Sequence, residues 1–378
     1  MRAMPQQETA LAAELKSRIA ASGPITFAEY MEACLYHPQY GYYTRASGDR
    51  FQDYYTSADV HPIFARLLAR QIEELWQAVG RPCEFQVVEL GAGGGALAAE
   101  LLNFSEGQLS EFYLAMRYTA VERSSLRCET AAQSLARHIS AGRAEVCELL
   151  PARINVGSVI SNEFFDALPV HRVVMERGKL REIYIDVRDG GFTGVNGELS
   201  SREIAAYFAE QGIELREGQW AEVNLAARRW ISRIADAIGI GFVVTVDYGH
   251  EARELYNSRH MRGTVLAYSG HRASENFYDA PGETDLTAHV NFTDLELCGA
   301  AHGLKTLGRV SQTQFLLALG RGNDFADLYD GGESEAEKVR ARLKLKTLIH
   351  PEAMGETFSV MIQSKGIDAA EPTGLKSI

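Results

Sequence analysis

The sequence lacks the patterns that hold small extracellular domains together or insert a chain into a bilayer. Its five cysteines are scattered, odd in number and never spaced as C-x-x-C, which argues against a disulfide framework and a zinc site. The longest apolar run, residues 238–246, is far shorter than the roughly 20 residues of a membrane-spanning helix. Glu8 and Glu14 interrupt the stretch where a secretory segment would lie. We therefore expect a soluble protein without a metal site or membrane insertion, cytoplasmic if bacterial and in the mitochondrial matrix if eukaryotic.

An excess of positive charge is also missing. The chain has 38 Lys and Arg against 50 Asp and Glu, a formal net charge of −12. Proteins that bind a nucleic-acid backbone need a clustered basic surface, so we expect no nucleic-acid partner. Apolar residues make up 46% of the 378 residues, which is typical of a folded chain with one large domain or two.

The N-terminal part of the sequence is predicted to be helical. Leu11, Leu15 and Ile19 recur at helical spacing before Gly23-Pro24. Thr26-Phe-Ala-Glu29 is a capping-box pattern for a second helix, and a third is expected to start around Pro62. We assign residues 1–82 to a helical N-terminal cap region.

After residue 82 the pattern changes to short apolar strands that alternate with helices. The strands are predicted at 85–90, 118–121, 157–160, 241–246 and 357–363. Such alternation is typical of βαβ units and a mostly parallel sheet. We predict an α/β, Rossmann-like core over residues 83–378, with insertions at about 171–237 and 250–292. The first insertion begins with a hairpin turning at Arg177-Gly178 and continues as a mainly helical stretch over 201–237; the second contains a lid-like loop.

The most informative motif is Glu89-Leu-Gly-Ala-Gly-Gly-Gly95, where a strand runs into a tight glycine turn and a helix follows. Gly91, Gly93 and Gly95 carry no Cβ, so a ligand can approach the backbone, including that of Ala92. A carboxylate at Glu89 would repel a pyrophosphate but suits the ammonium group of S-adenosylmethionine. Glu122 ends the next strand, where an acid accepts the ribose hydroxyls of an adenosine. These residues favour S-adenosylmethionine as the cofactor, with a nicotinamide cofactor as the alternative.

A second group of polar residues follows the strand at 157–160. Asn162, Glu163 and Asp166 provide an amide and two carboxylates beside two phenylalanines. Methyl transfer is an in-line displacement, so a protein mainly orients the nucleophile and keeps its pocket dry. Two carboxylates are suited to hold a guanidinium, whose plane they fix. We therefore name all three residues as catalytic candidates; the alternative role for Asp166 is that of a helix cap.

Several further residues are weaker candidates for a substrate or lid site. Asp247 and Tyr248 follow the strand at 241–246, and His289 ends the Asp285-Leu-Thr-Ala-His289 segment of the second insertion. A structural role is the alternative for each of them, since histidines inside proteins are mostly hydrogen-bonded structural groups.

The chain resembles the MidA family, which is related to the mitochondrial complex I assembly methyltransferase. The resemblance extends along nearly the whole chain, and its most distinctive string is Asn162-Glu-Phe-Phe-Asp-Ala-Leu-Pro169. The other matching segments are 27–31, 37–43, Thr56-Ser57, 89–95, 247–249, 263–264, 281–282, 285–289 and 314–320.

This resemblance implies a class I methyltransferase fold, S-adenosylmethionine as cofactor, and methylation of arginine in a protein, in mitochondria a subunit of respiratory complex I. We accordingly add Thr56, Arg123 and Asn162 to the expected cofactor-binding residues. The sequence departs from the family in the extra residues Arg50–Tyr54, which point to a different substrate if that segment contacts it. A small-molecule methyltransferase and a cofactor-binding assembly factor with little turnover remain as alternatives, and the oligomeric state is not predicted.

Overall fold

The computed structural model describes residues 8–45, 62–269, 272–329, 331, 334–350, 355–368 and 371–377. The chain divides into two compact units. The first unit comprises Met1–Tyr54, Asp166–Arg229 and His250–Leu295, and the second comprises Tyr55–Phe165, Trp230–Gly249 and Glu296–Ile378. Among the described residues, no helix combines the length and the apolar character that crossing a bilayer requires.

The strands are numbered in chain order. They are β1 (Ile25–Thr26), β2 (Phe85–Leu90), β3 (Met116–Val121), β4 (Ala144–Cys147), β5 (Ile154–Asn162), β6 (His171–Glu176), β7 (Lys179–Arg188), β8 (Gly191–Gly197), β9 (Trp220–Val223), β10 (Ile238–His250), β11 (Leu266–Ser269), β12 (Arg272–Ser274), β13 (Asp285–Thr287), β14 (Val290–Asn291), β15 (Lys305–Ser311) and β16 (Phe358–Lys365).

The α-helices are numbered in the same way. They are α1 (Ala10–Ser22), α2 (Phe27–Tyr36), α3 (Ile63–Ala78), α4 (Ala96–Gln108), α5 (Ser110–Ala115), α6 (Ser125–Ser134), α7 (Ala136–Ser140), α8 (Arg202–Glu210), α9 (Leu225–Ala237), α10 (Ala252–Leu255), α11 (Phe292–Ala301), α12 (Gln312–Gly320) and α13 (Glu335–Ile349). Short 3-10 turns lie at Arg321–Asn323, Ala326–Leu328 and Thr373–Leu375.

The second unit is built on a sheet in the order β15-β16-β10-β5-β2-β3-β4. The pairs from β10 to β4 are parallel, and β16 lies antiparallel between β10 and β15. Going out from β2, the chain adds β3 and β4 on one side and β5 and β10 on the other. The order therefore reverses between β2 and β5, and ligands of open α/β sheets bind outside the carboxyl ends of strands at such a point.

Burial on both faces explains the sequence of the central strands. In β2, Phe85, Val87, Val88 and Leu90 are at most 1% exposed. Phe85 and Val87 join one apolar cluster with residues of α3, α4 and α12, as residues of a parallel strand covered by helices do. This packing makes the carboxyl end of β2 a rigid base for the loop that follows it.

The first unit contains two antiparallel sheets. One has the order β1-β7-β6-β9 with β8 paired to β7, and the other has the order β12-β11-β13. Helix α2 begins with a complete capping box, in which Thr26 and Glu29 each bind the other's backbone N–H. Apolar residues of α1 and α2 form a cluster with residues of β7, β11 and β13.

Most of the predicted strands and helices are present in the structure. The hairpin turns at Arg177-Gly178, where both residues have positive φ, as a tight two-residue turn requires. The mainly helical stretch predicted at 201–237 contains β9, and the lid-like loop contains β11, β12 and β13. Helix α3, which the sequence analysis assigned to the N-terminal cap region, lies in the second compact unit.

Candidate functional site

The loop after β2 adopts a conformation that glycine alone takes without strain. Gly91, Gly93 and Gly95 have φ angles of 70°, 55° and 80°, all in the left-handed region. A Cβ on Gly91 would lie 3.0 Å from Cδ2 of Phe164, whereas one on Gly93 would meet nothing within 4 Å. The loop is thus packed at its first glycine and open at its second, which leaves room for a ligand against the backbone.

Backbone hydrogen bonds fix this loop to the end of β3. The N–H groups of Gly91 and Ala92 both donate to the carbonyl oxygen of Val121, at 2.9 and 3.1 Å. The N–H of Gly95 donates to Ala92, and the N–H of Ala99 in α4 donates to Gly95. These hydrogen bonds hold the loop in one conformation through the protein's own backbone.

Glu122 joins the loops after β2 and β3. Its side chain is 7% exposed and accepts the N–H of Gly93 at 2.9 Å and the N–H of Ser124 at 2.8 Å, one on each carboxylate oxygen. Each oxygen of a carboxylate has capacity for a second hydrogen bond. Glu122 thus has two roles available, fixing the glycine loop and accepting a hydroxyl of a ligand.

Glu89 lies buried at the end of β2 and accepts a hydrogen bond of 2.7 Å from the hydroxyl of Tyr118. Burial raises its pKa to about 8, the negative charge of Glu122 adds to the increase, and the Tyr118 hydrogen bond opposes it. A cation bound beside Glu89 would favour the ionised form and lower this pKa. Two carboxylates therefore make this end of β2 suitable for a positively charged ligand.

Asn162 and Glu163 follow on the other side of the point where the strand order reverses. Asn162 is the last residue of β5, and its Nδ2 donates to Oε1 of Glu163 at 3.2 Å. Glu163 has a φ of 53°, and its N–H donates to the carbonyl oxygen of Val246 at 3.0 Å. A left-handed conformation in a residue with a side chain costs about 1–3 kcal/mol and is concentrated at functional sites. Both side chains are half-buried, so a ligand can reach them.

Asp247 holds the turn that contains Glu163. Its carboxylate is fully buried, and one oxygen accepts the N–H groups of Phe164 and Phe165 at 3.2 and 2.9 Å. The other oxygen accepts the N–H of Tyr248 at 2.9 Å. The sequence had placed Asp247 and Tyr248 directly after the strand. Because β10 continues to His250, both residues lie inside it. Tyr248 is buried against Phe358. Asp247 therefore fixes the turn through backbone hydrogen bonds, which is the structural role that the sequence left as its alternative.

Other predicted site residues belong to the first unit. Asp166 is 4% exposed, and its carbonyl oxygen accepts the N–H of Ala288. His289 is half-buried, and its ring is tilted relative to that of His250, with the two ring centroids 5.2 Å apart. Its pKa is lowered to about 4, first by desolvation and then by the nearby His250 and His260, so His289 is neutral at pH 7.

Arg123 and Thr56 are the remaining residues that the sequence predicts to bind the cofactor. Arg123 is exposed directly after Glu122. Thr56 lies outside the described residues. The structure therefore brings Glu89, the glycine loop, Glu122, Asn162 and Glu163 together at the carboxyl ends of β2, β3 and β5.

Known proteins resemble this chain in sequence and in fold. A family model for S-adenosyl-L-methionine-dependent methyltransferases matches residues 67–310. The chain belongs to this family. It is therefore an S-adenosylmethionine-dependent methyltransferase with the Rossmann-like fold predicted from its sequence.

Relatives of the methyltransferase include "Protein arginine methyltransferase NDUFAF7, mitochondrial". The zebrafish (Danio rerio) protein is 30% identical over 91% of this chain and 84% of its own length. The human (Homo sapiens) protein is 26% identical over 93% and 82%. A crystal structure of a Burkholderia thailandensis protein bound to S-adenosyl-homocysteine has a TM-score of 0.86 and 31% identity, and covers 97% of this chain and 95% of that one.

The residues present fit this cofactor. The open space at Gly93 provides room beside the backbone, and Glu89 supplies a buried acid for an ammonium group. Two contributors to the site were missed from the sequence: Tyr118 beside Glu89 and Phe164 against Gly91. Both contacts depend on strand register, which the sequence does not give.

Proposed function

We propose that this methyltransferase methylates arginine side chains of a protein substrate, with Glu163 orienting the guanidinium. The observation that carries the proposal is the left-handed conformation of Glu163, which holds a half-buried carboxylate at the carboxyl end of β5. The names of the zebrafish and human relatives support arginine as the target. Carboxylates bind guanidinium groups through charge-assisted hydrogen bonds with a fixed plane.

Each residue of the site has a separate task in this proposal. S-adenosylmethionine, when bound, supplies an electrophilic methyl group. Glu89 attracts its ammonium group, and Glu122 keeps the Gly93 loop in place while accepting a ribose hydroxyl. Asn162 orients the Glu163 carboxylate through its hydrogen bond to Oε1.

The Glu163 carboxylate accepts N–H groups of the arginine and takes up the proton that the nitrogen loses on methylation. The position of Glu163 depends on Asp247, because the Asp247 carboxylate accepts the backbone N–H groups of Phe164 and Phe165, which follow Glu163. Phe164 packs edge-on against Phe165 and Trp230, with ring centroids 5.3 and 5.1 Å away. These rings exclude water from the turn that carries Glu163.

The test follows a tritiated methyl group from S-adenosylmethionine into a lysate of the source organism. We expect the label in protein and, after hydrolysis, in methylarginine. Glu163→Gln should lower the rate about a hundredfold, because proton transfer and positioning by a carboxylate typically contribute that much. Its affinity for S-adenosyl-homocysteine should remain close to that of the wild type.

The matched control is Glu111→Gln on α5, which removes one carboxylate from an exposed position of the same unit. This variant should retain wild-type turnover. Label confined to small molecules, or to residues other than arginine, would refute the proposed substrate. Unchanged turnover in Glu163→Gln would refute the proposed role of that residue.

A further inference from the structure

Helix α13 carries a concentration of positive charge in an acidic protein. Residues 338–349 contain Lys338, Arg340, Arg342, Lys344 and Lys346 and no acidic residue. The chain as a whole has a formal net charge of −12, so the remainder carries −17 against +5 on this segment. A separation of charge of this size indicates a surface for a charged partner.

One face of α13 packs on the second unit and the opposite face is exposed. Leu348 is buried, and Ala341, Leu345 and Ile349 pack against the apolar cluster of the second unit. On the other face, Val339 and Leu343 are 49% and 60% exposed. They are four residues apart, so their side chains are neighbours on the helix surface. The exposed face thus has an apolar centre of two aliphatic side chains.

The basic side chains frame this apolar pair. At roughly 100° per residue, Arg342 and Lys346 fall on one side of the pair, and Arg340 and Lys344 fall on the other. Arg342 donates to the hydroxyl of Tyr329 at 2.8 Å, which holds one cation in place. In the described part of the chain, Lys344 and Lys346 make no ion pair, so their charges remain available.

We propose that the exposed face of α13 is a docking surface for an acidic segment of a partner protein, in which apolar side chains are flanked by carboxylates. The apolar pair would bind the partner's apolar residues, and the four cations would pair with its carboxylates. This inference does not depend on which atom the methyltransferase modifies.

The charge distribution favours an acidic segment over an anionic membrane or a second copy of the chain. A short segment stays within about 8 Å of the helix, the distance over which charges act at physiological salt. A flat anionic bilayer would extend beyond α13 and would be repelled by the net charge of −17 on the rest of the chain. A stable dimer needs roughly 1,200–2,000 Å² of buried surface, more than a single helix face supplies.

The experiment measures binding of a fluorescein-labelled peptide, in which glutamates flank a pair of leucines, by fluorescence anisotropy with the full chain. We expect saturable binding that weakens as salt is raised. Lys344→Glu combined with Lys346→Glu should weaken it about tenfold, because two attractive pairs become repulsive. Leu343→Ser should also weaken it, and a peptide with glutamine in place of glutamate should not bind.

The control combines Arg153→Glu with Lys305→Glu, which changes the net charge equally at exposed positions of the same unit outside α13. It should bind the peptide like the wild type. Equal weakening by both double variants would overturn the proposal, because binding would then follow net charge alone. Absence of peptide binding would overturn it as well. So would binding only to vesicles of equimolar phosphatidylserine and phosphatidylcholine, or self-association through α13 in sedimentation.

Discussion

Replacing Glu89 by glutamine should change how the stability of the protein depends on pH. The glutamine keeps an oxygen that accepts the Tyr118 hydroxyl but removes the titrating proton. In the wild type, the pKa of Glu89 rises from an ordinary 4.5 to about 8 on folding. At pH 7 the folded protein therefore holds the Glu89 carboxyl group mainly in its neutral form.

The sign and size of the effect follow from this shift. A carboxyl whose pKa is raised on folding contributes its full stability below pH 4.5, and that stability is lost as pH rises through 8. At 1.36 kcal/mol per pKa unit, the loss in the wild type amounts to about 3 kcal/mol between pH 4.5 and pH 7. The glutamine variant does not lose it. Its stability relative to the wild type should therefore increase with pH over this range.

Chemical unfolding of both proteins between pH 5 and pH 8.5 measures this difference directly. Other titrating groups contribute equally to the two proteins, so the difference isolates Glu89. A second readout is affinity for S-adenosylmethionine, which should increase with pH in the wild type because its ammonium group favours the ionised carboxylate. That increase should be absent in the variant. If the difference in stability between the two proteins stayed constant from pH 5 to pH 8.5, the conclusion that Glu89 is buried in its neutral form would be refuted.

Substitutions at three other positions test the loop and the turn. Gly91→Ala should cost about 1–2 kcal/mol and weaken cofactor binding in calorimetry, because a Cβ at φ 70° would lie 3.0 Å from Phe164. Asp247→Ala leaves buried N–H groups without their acceptor and should cost about 2–4 kcal/mol of stability in thermal unfolding, with kcat falling more than cofactor affinity. Asp247→Asn keeps one acceptor oxygen and should recover part of the lost stability and part of the lost kcat. Glu163→Gly should be more stable than Glu163→Ala by about 1 kcal/mol, since glycine tolerates φ 53°, yet both should lack turnover; equal stability would contradict strain at this position.

The parts of the fold that could be predicted from the sequence are those with strong local signals. Strand β2 was predicted with its exact limits, because an apolar run ends abruptly at a glycine turn. Strand β8 was missed, since glycines at 191, 194 and 197 have low strand propensity and pairing with β7 supplies the stability instead. Strand β9 has four residues and lies between helices, so periodicity could not resolve it.

For the candidate site, the sequence named residues that the structure brings together at one edge of the sheet, but it did not show how they are held. Glu89 was named from its position near the end of β2, and Glu122 and Glu163 from their positions after β3 and β5. The left-handed backbone at Glu163 depends on hydrogen bonds to β10, which is distant in sequence. Asp247 was expected to face the pocket, and its hydrogen bonds to the N–H groups of Phe164 and Phe165 become visible only when β5 and β10 are paired.

The most direct test of the central claim is calorimetric titration of the wild type and Glu122→Ala with S-adenosylmethionine, S-adenosyl-homocysteine and NAD. We expect micromolar binding of the first two ligands and none of NAD. Glu122→Ala should weaken binding about tenfold or more, because it removes a hydroxyl acceptor and releases the Gly93 loop. Unchanged affinity in this variant, or a preference for NAD, would contradict the assignment of the cofactor site to the carboxyl ends of β2 and β3.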